Sequence, residues 1–145
     1  MKQFSLLVIT IVSVVLFSCN GTAQKKEEIK EKVANKIEVI DFHSTHRCMT
    51  CNAIESSTKY TLDTYFSDEL KNENITFQVV NVDEDKNYKL AEKFEATGTA
   101  LFLNVIVDGE ETQIDLTEFA FMKGNDQKVF SNELKLKIEA ALKKI

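Results

Sequence analysis

Cys48 and Cys51 are the residues of this chain best suited to chemistry, and they close the stretch His43-Ser44-Thr45-His46-Arg47-Cys48-Met49-Thr50-Cys51. The stretch lies between an apolar run ending at Phe42 and an amphipathic segment starting at Cys51. In the first turn of a helix, residues i and i+3 share a face and come within reach of disulfide geometry. A helix N-terminus carries unpaired N–H groups and partial positive charge, which favour a thiolate over a thiol. Cys48, ahead of the helix, is therefore the candidate attacking sulfur, with the N–H groups of Thr50 and Cys51 and the charges of Arg47 and a protonated His46 favouring its thiolate. Cys51, more buried, would resolve the mixed disulfide.

Two other readings use the same residues. One is a static bridge, but a disulfide closing so short a loop stabilises little. The other is a copper or zinc site on His43, His46, Cys48 and Cys51, four soft or borderline ligands within nine residues. A structural zinc site normally needs a second ligand pair far along the chain, and none is present. A plain interaction domain is a third class.

The ends of the chain bear on the cysteine count. Lys2 is followed by the apolar run Phe4–Phe17, interrupted only by Ser5, Thr10 and Ser13. A basic start and an apolar stretch shorter than the roughly 18–20 residues of a spanning helix mark an export signal over residues 1–18. Leu16-Phe17-Ser18-Cys19 also resembles the bacterial lipobox, which implies lipid on Cys19 and a membrane as partner. Three cysteines leave one over in an exported protein; lipid on Cys19 accounts for it and leaves Cys48 and Cys51 as a pair. On the periplasmic side of the envelope such a pair is either a disulfide or kept reduced by a partner. Residues 19–36, rich in Lys and Glu, read as a lipidated cysteine and a solvated tether.

The remaining residues, 37–145, allow one domain with a real core, and eight of the chain's ten Phe help to fill it. The chain of 145 residues has a formal charge of −5, and without the leader's single Lys2 it has 17 basic against 23 acidic residues. No basic stripe is present, so nucleic acid is not an expected partner.

Hydrophobic periodicity orders the elements. Ile37–Phe42 is a β-branched strand, Cys51–Leu70 a helix with Ile54, Leu62, Tyr65, Phe66 and Leu70 on or near its buried face, and Ile75–Val82 a second strand. Asp83-Glu84-Asp85 caps a short helix over Lys86–Glu95, which buries Leu90, Ala91 and Phe94. Gly98 breaks it, and Ala100–Val107 is a strongly apolar third strand. Asp108-Gly109 signals a hairpin into a fourth strand near Thr112–Leu116. Gly124-Asn125-Asp126 introduces a last helix that could start as late as Ser131, with Phe130, Leu134, Ile138, Ala141, Leu142 and Ile145 on one side. Tyr60, Tyr65 and Phe66 read as core or half-buried aromatics, and Phe119, Phe121 and Met122 as terminal packing.

The order is β-α-β, then α-β-β-α, with a dithiol leading the first helix, and it resembles the thioredoxin fold over about Ile37–Ile145. The specific parts are Val39-Ile40-Asp41-Phe42, Cys48-Met49-Thr50-Cys51, and Val80-Asn81-Val82-Asp83. Phe42-His43-x-Thr45-x-Arg47-Cys48-x-Thr50-Cys51 is more narrowly similar to a family of small bacterial thioredoxin-like proteins named as nitrophenyl compound nitroreductase subunits. No flavin or nicotinamide motif accompanies it, so no cofactor is expected. The resemblance implies an α/β fold with a central mixed sheet covered by helices on both faces, and a protein disulfide donor or acceptor as partner. It aligns Asp41 with the buried carboxylate that accepts a proton behind the dithiol, although the loop here is one residue longer. It also places Thr99 and Ala100 in the substrate groove, with Ala100 where relatives carry a cis-proline, and Arg47 where many carry an aromatic residue. The chain has no proline, and a cis bond before another residue costs about 2.5–4 kcal/mol, so Ala100 is expected to be trans. The missing proline weighs toward the metal alternative and against general exchange with protein substrates.

Overall fold

The computed structural model describes residues 34–145. The leader, Cys19 and the tether up to residue 33 lie outside the described residues. Strand β1 (Lys36–His43) runs parallel to β2 (Ile75–Asn81) on one side and antiparallel to β3 (Ala100–Val107) on the other. Strand β4 (Glu110–Asp115) pairs antiparallel with β3, which gives the sheet order β2-β1-β3-β4. Five helices accompany it: α1 (Met49–Tyr65), α2 (Ser67–Lys71), α3 (Tyr88–Lys93), α4 (Thr117–Lys123) and α5 (Gln127–Leu142). A parallel βαβ unit and a β-hairpin meet at the β1–β3 pair, which is the expected thioredoxin-like α/β arrangement.

Period-2 alternation along β1 sorts its side chains onto two cores. Ile37 and Val39 join Ile54 and Leu62 of α1 and Phe130, Leu134 and Ile138 of α5 in the larger one. Ile40 and Phe42 face the other way, against Ala91 of α3 and Phe94. Phe42, Phe94 and Phe102 form a ring triad there, with centroids 5.2–6.0 Å apart. The parity that buries Ile37 and Val39 puts Asp41 on the α1 side of the sheet, fully buried.

Several boundaries differ from the expected ones, each for a local reason. Lys36 belongs to β1 and not to the tether. The long first helix stops at Tyr65, because Phe66 leaves helical geometry (φ −132°, ψ 28°) and turns its ring into the core; α2 follows, with Leu70 half-buried against that core and no fully buried residue. Tyr60 and Tyr65 are exposed, while Ser57, Thr58 and Thr61 of α1 are buried together with Ile54 and Leu62. The expected cap by the Asp83–Asp85 run is absent: a 3-10 turn over Asp85–Asn87 precedes α3 with no side-chain cap bond. Asp108 (φ 52°) and Gly109 (φ 86°) make a two-residue turn with both central residues left-handed, so Val107 pairs with Glu110 and β4 begins there, not at Thr112. Helix α5 starts at Gln127 because the Asp126 carboxylate accepts from the Val129 N–H at 3.1 Å. Helix α4 has no counterpart in the sequence reading; it buries Phe119 against Phe130 and leaves Phe121 and Met122 exposed.

Gly124 seats the corner between α4 and α5 on the start of α1. A Cβ there would stand 2.7 Å from the Ala120 carbonyl oxygen and 2.9 Å from Ile54 Cγ1. At Gly98 the nearest atom, Ser44 Oγ, would be a comfortable 3.6 Å away. Gly124→Ala is therefore expected to cost about 1–3 kcal/mol, read as a lowered urea midpoint, whereas Gly98→Ala leaves the midpoint nearly unchanged.

Candidate active site

Strand β1 ends at His43, and residues 44–48 carry the chain over to α1. This loop is fastened to the end of β2. The Val82 N–H donates to the His43 carbonyl at 2.8 Å, and the Thr45 N–H donates to Asp83 Oδ2 at 2.7 Å. Asn81 Nδ2 donates to Thr45 Oγ1 at 3.2 Å, and its Oδ1 accepts from the Asp83 N–H at 3.1 Å. The Thr45 backbone bond, then its hydroxyl and the nearby imidazoles of His46 and His43, hold the Asp83 carboxyl below its usual range. In the sequence Asn81 and Asp83 were part of the resemblance, as a strand end and a solvated acidic run, and their role in fastening the loop was not read.

At the far end of the loop, Cys48 is the N-cap of α1, and its Sγ accepts from the Cys51 N–H at 3.0 Å. Cys48 is exposed and Cys51 is buried. The two form a disulfide with their Cα atoms 5.0 Å apart. Between them Met49 is 88% exposed, while the Thr50 hydroxyl shares two hydrogen bonds with the Asn125 amide of the turn before α5.

Beneath the dithiol lies a charged group of three. The Arg47 guanidinium reaches Glu55, the Cys51 carbonyl and Asp41. Its Nη1 bonds Glu55 Oε2, while Nη2 donates to the Cys51 carbonyl at 3.4 Å and lies 3.7 Å from Asp41 Oδ2. Asp41 is fully buried, and neither of its oxygens has a hydrogen-bond partner. Burial pushes its carboxyl from 3.8 up to about 7; Arg47 opposes the rise and Glu55 adds to it. Glu55, one helical turn beyond Cys51, was not singled out in the sequence. Its position four residues after a cysteine and eight after an arginine is the only signal it carries there.

The remaining expected residues fall around this centre. Gly98 lies against Ser44, which brings the 97–100 segment beside the loop. Thr99 is half-buried and Ala100 buried, and every peptide bond among the described residues is trans. Both residues line a cavity of about 600 Å³ with Phe94, Thr97, Phe102 and Thr117, and the cysteines are not part of its wall. His43 is half-buried with Nδ1 2.9 Å from the Ser44 carbonyl oxygen, and His46 is exposed. Among the described residues no three His, Cys, Asp or Glu side chains are gathered as a metal ion would require.

The sheet order, with a cysteine pair at the start of the helix after β1, is a thioredoxin-like α/β fold carrying a Cys-Met-Thr-Cys disulfide. No family model matches the chain, and no curated protein matches it by sequence. Solved structures similar to it include a malarial protein, 20% identical with a TM-score of 0.39, covering 61% of this chain and 96% of that one. A thioredoxin of Fasciola hepatica is 21% identical with a TM-score of 0.39, covering 61% of this chain and 76% of its own.

The raised Asp41 carboxyl has a consequence for stability. Between pH 3.8 and about 7 the folded protein keeps a proton that the unfolded chain releases, so this group's contribution is intact below that window and lost as pH rises through it. Replacing Asp41 by Asn removes the loss. The stability of Asp41→Asn relative to the parent is expected to grow by a few kcal/mol between pH 4 and pH 7, measured by urea denaturation at each pH.

Proposed function

We propose that the protein is a thiol–disulfide oxidoreductase or electron relay working through Cys48 and Cys51, with a protein disulfide or dithiol as its partner. One observation carries this reading: an exposed sulfur caps a 17-residue helix and is bonded to a buried sulfur one turn further in. The cap serves either redox state. In the reduced protein the same Cys51 N–H and the helix dipole stabilise a Cys48 thiolate.

In the reducing direction, the Cys48 thiolate attacks one sulfur of the partner disulfide. A mixed disulfide forms and the other partner sulfur leaves as a thiolate. The Cys51 thiol gives up its proton and attacks the Cys48 sulfur, which releases the second partner thiolate and closes the Cys48–Cys51 bond. Two electrons have then passed from the dithiol to the partner. Asp41 is the proton acceptor supported by position: a single atom, Arg47 Nη2, lies 3.4 Å from the Cys51 carbonyl and 3.7 Å from Asp41 Oδ2. A carboxyl near 7 can hold or release that proton at neutral pH. The oxidising direction runs the same steps backwards, and the reduction potential decides between them.

Cys51→Ser is expected to stall a dithiothreitol-sensitive mixed disulfide on Cys48, seen as a shifted band on non-reducing gels, and Cys48→Ser to bring disulfide exchange down to background. Equilibration with glutathione gives a potential; a value below about −300 mV together with no exchange would make the bridge an inert one and end this reading.

The leader extends the proposal to location. We infer that lipid on Cys19 holds the domain at the periplasmic side of the cell envelope, a reading supported by Leu16-Phe17-Ser18-Cys19. Cys19→Ser is expected to move the protein from the membrane to the soluble fraction, and an unchanged distribution argues against lipidation.

A further inference from the structure

Asp41, Arg47 and Glu55 set two carboxylates against one guanidinium, and the division between them is unequal. Glu55, about one-third exposed at its side chain, takes the direct hydrogen bond from Nη1. Asp41, with a fully buried side chain, is left 3.7 Å from Nη2, beyond hydrogen-bond distance, and both its oxygens are unpartnered. A buried carboxylate without partners is costly, whereas one gripped by the two arms of a guanidinium is stable as an anion. Where Arg47 sits therefore decides which form Asp41 takes. Arg47 is itself confined: Nη2 is engaged by the Cys51 carbonyl, and its buried Nε has no partner, so the ring of contacts that holds it ends at Glu55.

We propose that Glu55 is a positioning residue for dithiol exchange: by holding the Arg47 guanidinium away from a close pairing with Asp41, it keeps the buried carboxyl able to take up and release a proton. This rests on the oxidoreductase reading and deepens it. Without Glu55, a movement of less than about 1 Å brings Arg47 into hydrogen-bond distance of Asp41, which then stays ionised. The charged groups acting on Asp41 are Arg47 from the loop and Glu55 from α1. Its register neighbours in the sheet, Val79 on β2 and Leu101 on β3, are apolar.

The test is the titration of the Asp41 carboxyl carbon by ¹³C NMR in the oxidised full chain, with three variants. Glu55→Gln is expected to lower the midpoint by about one pH unit or more, and Arg47→Gln to raise it by a similar amount. Glu55→Asp, which keeps the charge on a shorter arm, is expected to return the midpoint toward that of the parent. In exchange assays the acid limb of mixed-disulfide release moves to lower pH in Glu55→Gln. A midpoint that stays put in Glu55→Gln, or moves in the same direction in Glu55→Gln and Arg47→Gln, overturns the proposal. Should Arg47→Gln fail to fold, the Glu55→Gln and Glu55→Asp pair decides alone. Because the titration is read on the oxidised protein, it is independent of turnover: absent exchange with the expected midpoints would sink the oxidoreductase reading and leave the ionic arrangement standing.

Discussion

A capping group satisfies one of the free N–H groups at a helix start, and at α1 that group is a sulfur. Cys48 Sγ accepts from the Cys51 N–H at 3.0 Å, in the place where a serine or aspartate oxygen commonly stands. The contact that starts α1 is thus also the contact that polarises the exposed sulfur. Much of the fold keeps it in place. Strand β1 delivers the loop, Asn81 and Asp83 fasten its outer side, and Gly124 lets the α4–α5 corner press against Thr50 and Ile54. The disulfide closes a ring that these contacts have already shaped.

The interior of the site follows a different economy. Asp41 is fully buried, and neighbouring Val79 and Leu101 offer no polar atoms in side chains, so among the described residues the charge that opposes the effect of burial is Arg47. Arg47 supplies a cation that reaches past the Cys51 carbonyl to Asp41 on the strand. The exposed sulfur has the Cys51 N–H at the helix terminus as its hydrogen-bond donor.

What could be read beforehand depended on whether the signal was local. The four strands and the dithiol at a helix start are properties of short windows, and each was legible, whereas a buried Asp41 was expected only from the resemblance. The Asp108-Gly109 turn was legible too, and taking its two-residue geometry literally sets the first pair of β4. Helix α4 was not, because Leu116 gives it no capping side chain and the burial of Phe119 becomes visible only once Phe130 is beside it. The break at Phe66 has the same origin: periodicity runs on through Leu70, and the tertiary pull on one aromatic ring ends the helix earlier. Glu55 and Asp83 were hidden for a related reason. A surface acid looks like any other in sequence, and its role is defined by a loop residue 8 or 38 positions away.

Met49 stands between the two sulfurs with almost its whole side chain in solvent. Any molecule that approaches the bridge must press against an unbranched thioether with three rotatable bonds, a surface that yields to many shapes and imposes none. For the exchange proposed above, a methionine in that place sets few demands on the shape of what reaches the bridge.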